Sequence, residues 1–295
     1  MENPHFRNKD KYKIVQEKQI GYKHLSPKPS LETLKNLYEE DYYDDHYPDW
    51  IQKSLNEKDY WLMVYDERYE IFENNLNKNS KRILDIGSFL GFFLEAGKKR
   101  NWECLGIEPS NIARKIAIKS EINTKPGFFE DYTINDIGTF DVINLSLTLE
   151  HINEPKEMLN TIYSFLNPNG IICIEVPNDF NPLQKAAQDT LNIHEYWIAP
   201  PHHINYFNFE SLSALLTSTG FNVIDKSSTF PMELFLLMGD NYIGKDEIGK
   251  NCHEKRMTLE TNLNKSGLKT FKQDLYRFFA EKNIGREAII YGQKK

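Results

Sequence analysis

The stretch Arg82-Ile83-Leu84-Asp85-Ile86-Gly87-Ser88-Phe89-Leu90-Gly91-Phe92-Phe93 decides the architecture of this chain of 295 residues. An apolar run carrying one acid meets Gly87, the chain turns within a few residues, and Gly91 opens an amphipathic segment. That pattern predicts a buried strand turning sharply into a helix, the place where a doubly wound α/β sheet holds a nucleotide-like ligand. Just beyond, Glu103-Cys104-Leu105-Gly106-Ile107-Glu108 reads as a second short strand ending in a carboxylate. A carboxylate at that point can accept both hydroxyls of a ribose.

Glycine spacing separates the ligand classes that use this geometry. A dinucleotide fingerprint is G-x-G-x-x-G, which lets the backbone close on a pyrophosphate. Counted from Gly87, the later glycines would fall at 89 and 92, and both positions are Phe. Asp85 would also repel a pyrophosphate, whereas it suits a ligand with cationic ends: the ammonium, and beyond it the sulfonium, of S-adenosylmethionine. The run Asp85-Ile86-Gly87-Ser88-Phe89-Leu90-Gly91 resembles the first motif of class I S-adenosylmethionine-dependent methyltransferases, Asp-x-Gly-x-Gly-x-Gly, with Phe89 in place of the middle glycine. The resemblance implies a Rossmann-like sheet of seven strands, the last antiparallel, with helices on both faces. It also implies cofactor contacts from Asp85, Gly87, Ser88, Phe89, Gly91, Glu108, Pro109 and Leu145. Phe129, Glu130 and Asp131 would lie beside the adenine, where an acid accepts from the exocyclic amine.

Composition fits such an enzyme. Apolar residues make up 40% and charged residues 27%, enough for a full core and a soluble surface. The formal charge of −7 gives no general attraction to phosphate backbones, so nucleic acid is not an expected partner. Of the three cysteines, Cys104 and Cys173 fall in predicted strands and Cys252 stands alone, which reads as a reducing compartment without disulfides. With no long apolar run and no signal-like pattern in Met1-Glu2-Asn3-Pro4-His5, a cytoplasmic location is expected.

The chain before the first motif is expected to form a leader and helical arm over residues 1–58. It holds a short strand near 12–15, a helix capped by Ser30, and Tyr38, Tyr42, Tyr43 and Tyr47 set among acids. This leader resembles that of bacterial methyltransferases from surface-glycan and sugar-modification clusters, where paired cysteines bind zinc. Here Ile20-Gly21 stands where Cys-Gly would, and no cysteine precedes Cys104, so no metal is expected. Residues 59–230 then form the cofactor-binding core, beginning with a helix over 60–76 marked by Trp61, Val64, Tyr65, Tyr69 and Phe72. Tyr60, Tyr65 or Tyr69 either packs on the sheet or reaches over the ligand's methionine end.

Within the core, Ser110 caps a helix, residues 124–130 form a weak third strand, and 140–147 a fourth. The fourth ends in Leu149-Glu150-His151, which resembles a signature of methyltransferases acting on small molecules, sugars and lipid precursors. It differs from the Asn/Asp-Pro-Pro-Tyr/Phe of enzymes that methylate amino groups of nucleic acids. A helix over 156–166, a turn at Asn167-Pro168-Asn169-Gly170 and an apolar strand over 171–176 follow. Next comes a loop rich in histidine and aromatics, His194-Glu195-Tyr196-Trp197 through His202-His203 to Phe207, read as a ligand-facing lid. A helix over 211–218, a strand over 221–224, a helical insertion over 231–283 (helices at 233–238 and 268–280 around a polar centre) and a closing strand in 284–295 complete the pattern.

Methyl transfer to a hydroxyl needs a base, and histidine suits neutral pH. His202 and His203 lead, followed by His151 and His194. A zinc site from His194, Glu195, His202 and His203 has the right chemistry but matches no zinc spacing. The expected function is methyl transfer from S-adenosylmethionine, with S-adenosylhomocysteine as product, to a hydroxyl of a sugar or glycan precursor in polysaccharide biosynthesis. The rivals are C-methylation of a nucleotide sugar, an inactive cofactor-binding partner subunit, and an RNA or protein methyltransferase, which would need a basic groove.

Overall fold

The computed structural model describes residues 11–30, 34, 50–77 and 81–295. The helix expected after Ser30 and the tyrosines at 38, 42, 43 and 47 lie outside them. Two short strands, β1 (Lys13–Gln16) and β2 (Lys23–Ser26), come first, then helices α1 (Trp50–Asn56) and α2 (Lys58–Asn75). The first motif forms β3 (Arg82–Ile86) and α3 (Phe92–Lys99), and β4 (Glu103–Glu108), α4 (Asn111–Lys119) and β5 (Thr124–Pro126) follow. A short helix α5 (Ile134–Ile137) precedes β6 (Phe140–Ser146), α6 (Pro155–Phe165) and β7 (Leu166–Pro177). Beyond these lie α7 (Pro182–Leu191), β8 (Asn205–Tyr206), α8 (Phe209–Ser218) and β9 (Phe221–Ser228). The last four elements are α9 (Glu233–Leu237), α10 (Asp246–Lys265), α11 (Lys269–Glu281) and β10 (Glu287–Lys294).

Seven strands form one sheet in the order β5-β4-β3-β6-β7-β10-β9. β3 pairs parallel with β4 and β6, and β10 enters antiparallel between β7 and β9, as expected from the sequence. Alternation along the central strands divides two cores. Leu84, Ile86, Ile143, Leu145, Ile172 and Ile174 face α6 and α8 on one side. Ile83, Val142, Ile171 and Cys173 meet Tyr69 and Phe72 of α2 and Phe93 and Leu94 of α3 on the other. Tyr69 is fully buried and stacks on Phe93 at 5.0 Å, so it serves the core.

Several elements differ from the sequence expectation: the third strand stops at Pro126, with a 3-10 turn over Phe129–Asp131, and α7 has no counterpart in it. β7 starts at Leu166, not 171, because Leu166 already pairs with Phe140. The expected turn is absorbed as an irregularity, with Asn169 in the left-handed region at φ 61°. The polar centre of the insertion is the 20-residue helix α10. Residues 205–206 form β8, which pairs with β2 and so ties the β1–β2 hairpin to the end of the 192–204 loop.

Candidate active site

The carboxyl ends of β3, β4 and β6 meet at a cavity of about 500 Å³. Gly87 holds φ at 76°, and its N–H donates to Ile107 O at 2.9 Å, which draws the first turn over the end of β4. Phe89, at the position of the motif's middle glycine, keeps the left-handed backbone at φ 47°. Its N–H donates to Glu108 Oε2 at 2.7 Å, and Ser110 N–H donates to Glu108 Oε1 at 2.8 Å. Two backbone donors thus orient the carboxylate, leaving further lone pairs for a ligand. Burial pushes the Glu108 carboxyl up to about 7, against the pull of those two donors.

Among the expected cofactor residues, Gly87, Glu108, Pro109, Phe129, Glu130 and Asp131 all line this cavity. Asp131 Oδ2 accepts from Phe128 N–H at 2.9 Å. The other members stand behind the wall. Ser88 is buried under the turn, Gly91 opens α3, and Leu145 belongs to the core facing α6 and α8. Asp85 is buried on the α2 side, where its Oδ1 accepts from Asn144 Nδ2 at 2.7 Å. Burial pushes Asp85 up to about 7 despite that bond. The sequence reading missed Phe128, Leu147, Thr148 and Ile152, which also line the cavity. Thr148 alone carried a signal, as the first residue past the expected strand over 140–147; its Oγ1 donates to Ile86 O at 3.1 Å.

A buried ionic network supports this edge. Arg68 of α2 donates to Glu175 Oε1 at 2.7 Å and to Ser146 Oγ at 2.9 Å. Tyr65, one turn earlier, sits 5.2 Å from the same guanidinium. Tyr60 instead donates to Glu260 of α10 at 2.7 Å, so the insertion grips the helix that carries Arg68.

The histidines divide sharply. His151 lines the cavity. Its Nδ1 lies 2.7 Å from His202 O, which favours a proton on Nδ1 of the neutral ring. Nε2 lies 3.8 Å from Glu150 Oε1. Burial holds His151 down at about 4 despite the His202 and Leu147 carbonyls, which makes it neutral at pH 7. His203 packs edge-on to His151 at 5.2 Å, and burial followed by its histidine neighbours holds it well below the usual range. His202 is buried and serves His151 through its carbonyl. His194 and Glu195 are exposed. Among the described residues, the histidine and acid atoms that converge are those of Glu150, His151 and His203, all within 4.8 Å, in place of the His194, Glu195, His202 and His203 set.

A family model described as a methyltransferase domain matches residues 64–226, more than half of the chain. The chain belongs to the methyltransferase-domain family. The matched span runs from α2 to β9 and contains every wall of the cavity described above except Leu34. The chain is 26% identical over 147 residues to the C-methyltransferase NovU of Streptomyces niveus, which covers 48% of this chain and 33% of that protein. It is 28% identical over 128 residues to the mitochondrial ubiquinone biosynthesis O-methyltransferase of Saccharomyces cerevisiae, covering 39% and 40%. The matches thus span about a third to two fifths of these relatives. The plantazolicin methyltransferase BpumL, solved with SAH, superposes with a TM-score of 0.54 at 17% identity over 90% of this chain and 96% of that one. At that identity the likeness is one of fold.

Proposed function

We propose that this methyltransferase carries a methyl group from S-adenosylmethionine to a hydroxyl of a small polar acceptor, a sugar or glycan precursor. The observation that carries the reading is one cavity with Glu108 at one wall and His151 at another. The residues fit the cofactor. A Cβ at Gly87 would meet Thr148 Oγ1 at 2.7 Å, so only bare backbone leaves this floor open. Glu108, held by two backbone donors, is an acceptor for ribose hydroxyls. Phe129 and Ile152 offer apolar wall, and Glu130 and Asp131 offer acids for an exocyclic amine. When bound, S-adenosylmethionine supplies an electrophilic methyl on a sulfonium.

The chain's own part is to orient, to exclude water and to move one proton. His151, neutral and held by the His202 and Leu147 carbonyls, takes the acceptor's hydroxyl proton on its unprotonated ring nitrogen, and those carbonyls favour the imidazolium that results. His203 packs against the ring and restricts its rotation. The left-handed backbone of Phe89 preserves the glycine turn, which supports an active enzyme over an inactive partner subunit. C-methylation of a nucleotide sugar is the second reading, favoured by the likeness to NovU. A cytoplasmic setting goes with a soluble sugar precursor, and among the described residues no helix is long and apolar enough to cross a membrane.

Incubation with isotopically labelled S-adenosylmethionine and a panel of nucleotide sugars, read by mass spectrometry, tests the reading. Label on an oxygen is expected, and label on carbon selects the second reading. Transfer only to non-sugar phenols overturns the sugar assignment. The His151→Ala variant should lose about 100-fold or more in kcat while binding S-adenosylhomocysteine as the parent does.

A further inference from the structure

Past the end of β7 the buried acids outnumber the cations. Asp179 is 2% exposed and Glu233 is fully buried. Arg286 divides itself between carboxylates, 3.9 Å from Glu233 Oε1 and 3.8 Å from Glu287 Oε1. Arg256, the other guanidinium near Glu287, is held by Glu260 and by the Tyr60 hydroxyl. Tyr196 of the lid donates to Glu233 Oε1 at 2.9 Å, but Glu233 Oε2 and Asp179 Oδ2 have no hydrogen-bond partner in this structure. Burial, with the charge of Glu233 adding to it, pushes Asp179 up to about 8 even beside Arg286.

A separate element supplies a separate signal. Trp197 is 6% exposed, its ring meets Phe180 edge-on at 5.6 Å, and its Nε1 donor is also buried without a partner. Phe180 adjoins Asp179 in sequence, and its ring reaches Tyr206, whose ring reaches His203. The cluster also adjoins the His151–His203 pair, since Asp179 acts electrostatically on Glu150 and Arg286 on His203. A buried acid short of cations takes up a proton or a cationic ligand, and buried polar atoms in native structures are normally satisfied.

We propose that this cluster binds a cationic amino group of the acceptor, held by Asp179 and Glu233, so that the substrate is an aminated sugar and not a neutral one. Trp197 Nε1 donates to a ring or hydroxyl oxygen of the same molecule. The inference rests on the sugar reading above and adds the amine. Because Tyr196 holds Glu233, the loop over 192–204 opens to admit the ligand.

The test uses the full chain saturated with S-adenosylhomocysteine. Calorimetry compares methyl hexosides aminated at carbon 2, 3, 4 or 6, each with its hydroxyl counterpart. At least one aminated probe should bind about tenfold tighter than its partner, and Asp179→Asn and Glu233→Gln should each erase that preference. S-adenosylhomocysteine affinity, read on the same samples, shows that the variants are folded. Equal binding of amine and hydroxyl probes overturns the amine while leaving the sugar reading intact. Binding of none of the probes removes both, and a preference that survives both substitutions overturns the assignment to these acids.

Discussion

Glu108 is buried, and under the proposed reading its ionised form accepts the ribose hydroxyls, so its titration should be visible in cofactor affinity. Its carboxyl is pushed up to about 7 from an ordinary 4.5. Below that point the group carries a proton and offers fewer acceptor sites. Affinity for S-adenosylhomocysteine should therefore rise between pH 6 and 8, and Glu108→Gln should flatten the rise; a profile identical in the variant would assign the dependence elsewhere. Stability should move the opposite way. Between about 4.5 and 7 the native Glu108 holds a proton that the unfolded chain has released, so ν_U is less than ν_N and unfolding free energy falls as pH rises. Asp85, also pushed up to about 7, adds to the same slope. The carboxylate at the end of the second strand was legible from sequence, because it follows an apolar run by one residue. The surroundings of the candidate histidines were not, since the hydrogen bond between His151 and a carbonyl 51 residues away is encoded by no spacing.

Helix α2 ties the cofactor edge to the insertion, and its polar residues do this as much as its apolar ones. Arg68 is 4% exposed and compensates Glu175, while Glu67 accepts from Lys272 and Asn264 on the other side. Arg68→Met should cost about 3–5 kcal/mol by leaving Glu175 buried and unpaired. Arg68→Met with Glu175→Gln should recover much of that loss; denaturant unfolding that shows the double variant as weak as the single one would contradict the pairing. The β3–α3 unit was legible because its glycines and apolar period agree. Helix α10 was not, because its buried residues are Cys252, Arg256 and Glu260, an ionic contact surface with no apolar stripe to give it away. Helix α7 did carry a local signal in Asn181-Pro182, a cap followed by proline at the first helical position.

The sheet is finished by the last strand of the chain. Until β10 inserts between β7 and β9, β9 has no partner in the sheet and β7 lacks one of its two, so much of the pairing spans distant sequence and folding should be slow. Gly285 is the hinge of that insertion. Its φ is 127°, a Cβ there would fall 1.5 Å from Ser228 Oγ, and its carbonyl accepts from Asn178 Nδ2 at 3.2 Å. Gly285→Ala should destabilise the protein by well over 1 kcal/mol, roughly the limit for compatible glycine sites, and a neutral result in urea unfolding would show that the hinge can relax. The order of strands was legible through resemblance to a known family. The bond between leader and lid, β2 on β8, was not, since two residues of strand leave no periodic trace.

Calorimetric titration with S-adenosylhomocysteine, on the parent and on Glu108→Ala, bears most directly on the cofactor site. Micromolar binding (~8 kcal/mol at 1 μM) weakened about tenfold or more in the variant is expected. No heat from folded parent protein, or equal affinity in the two, would contradict a cofactor held by Glu108 in this cavity.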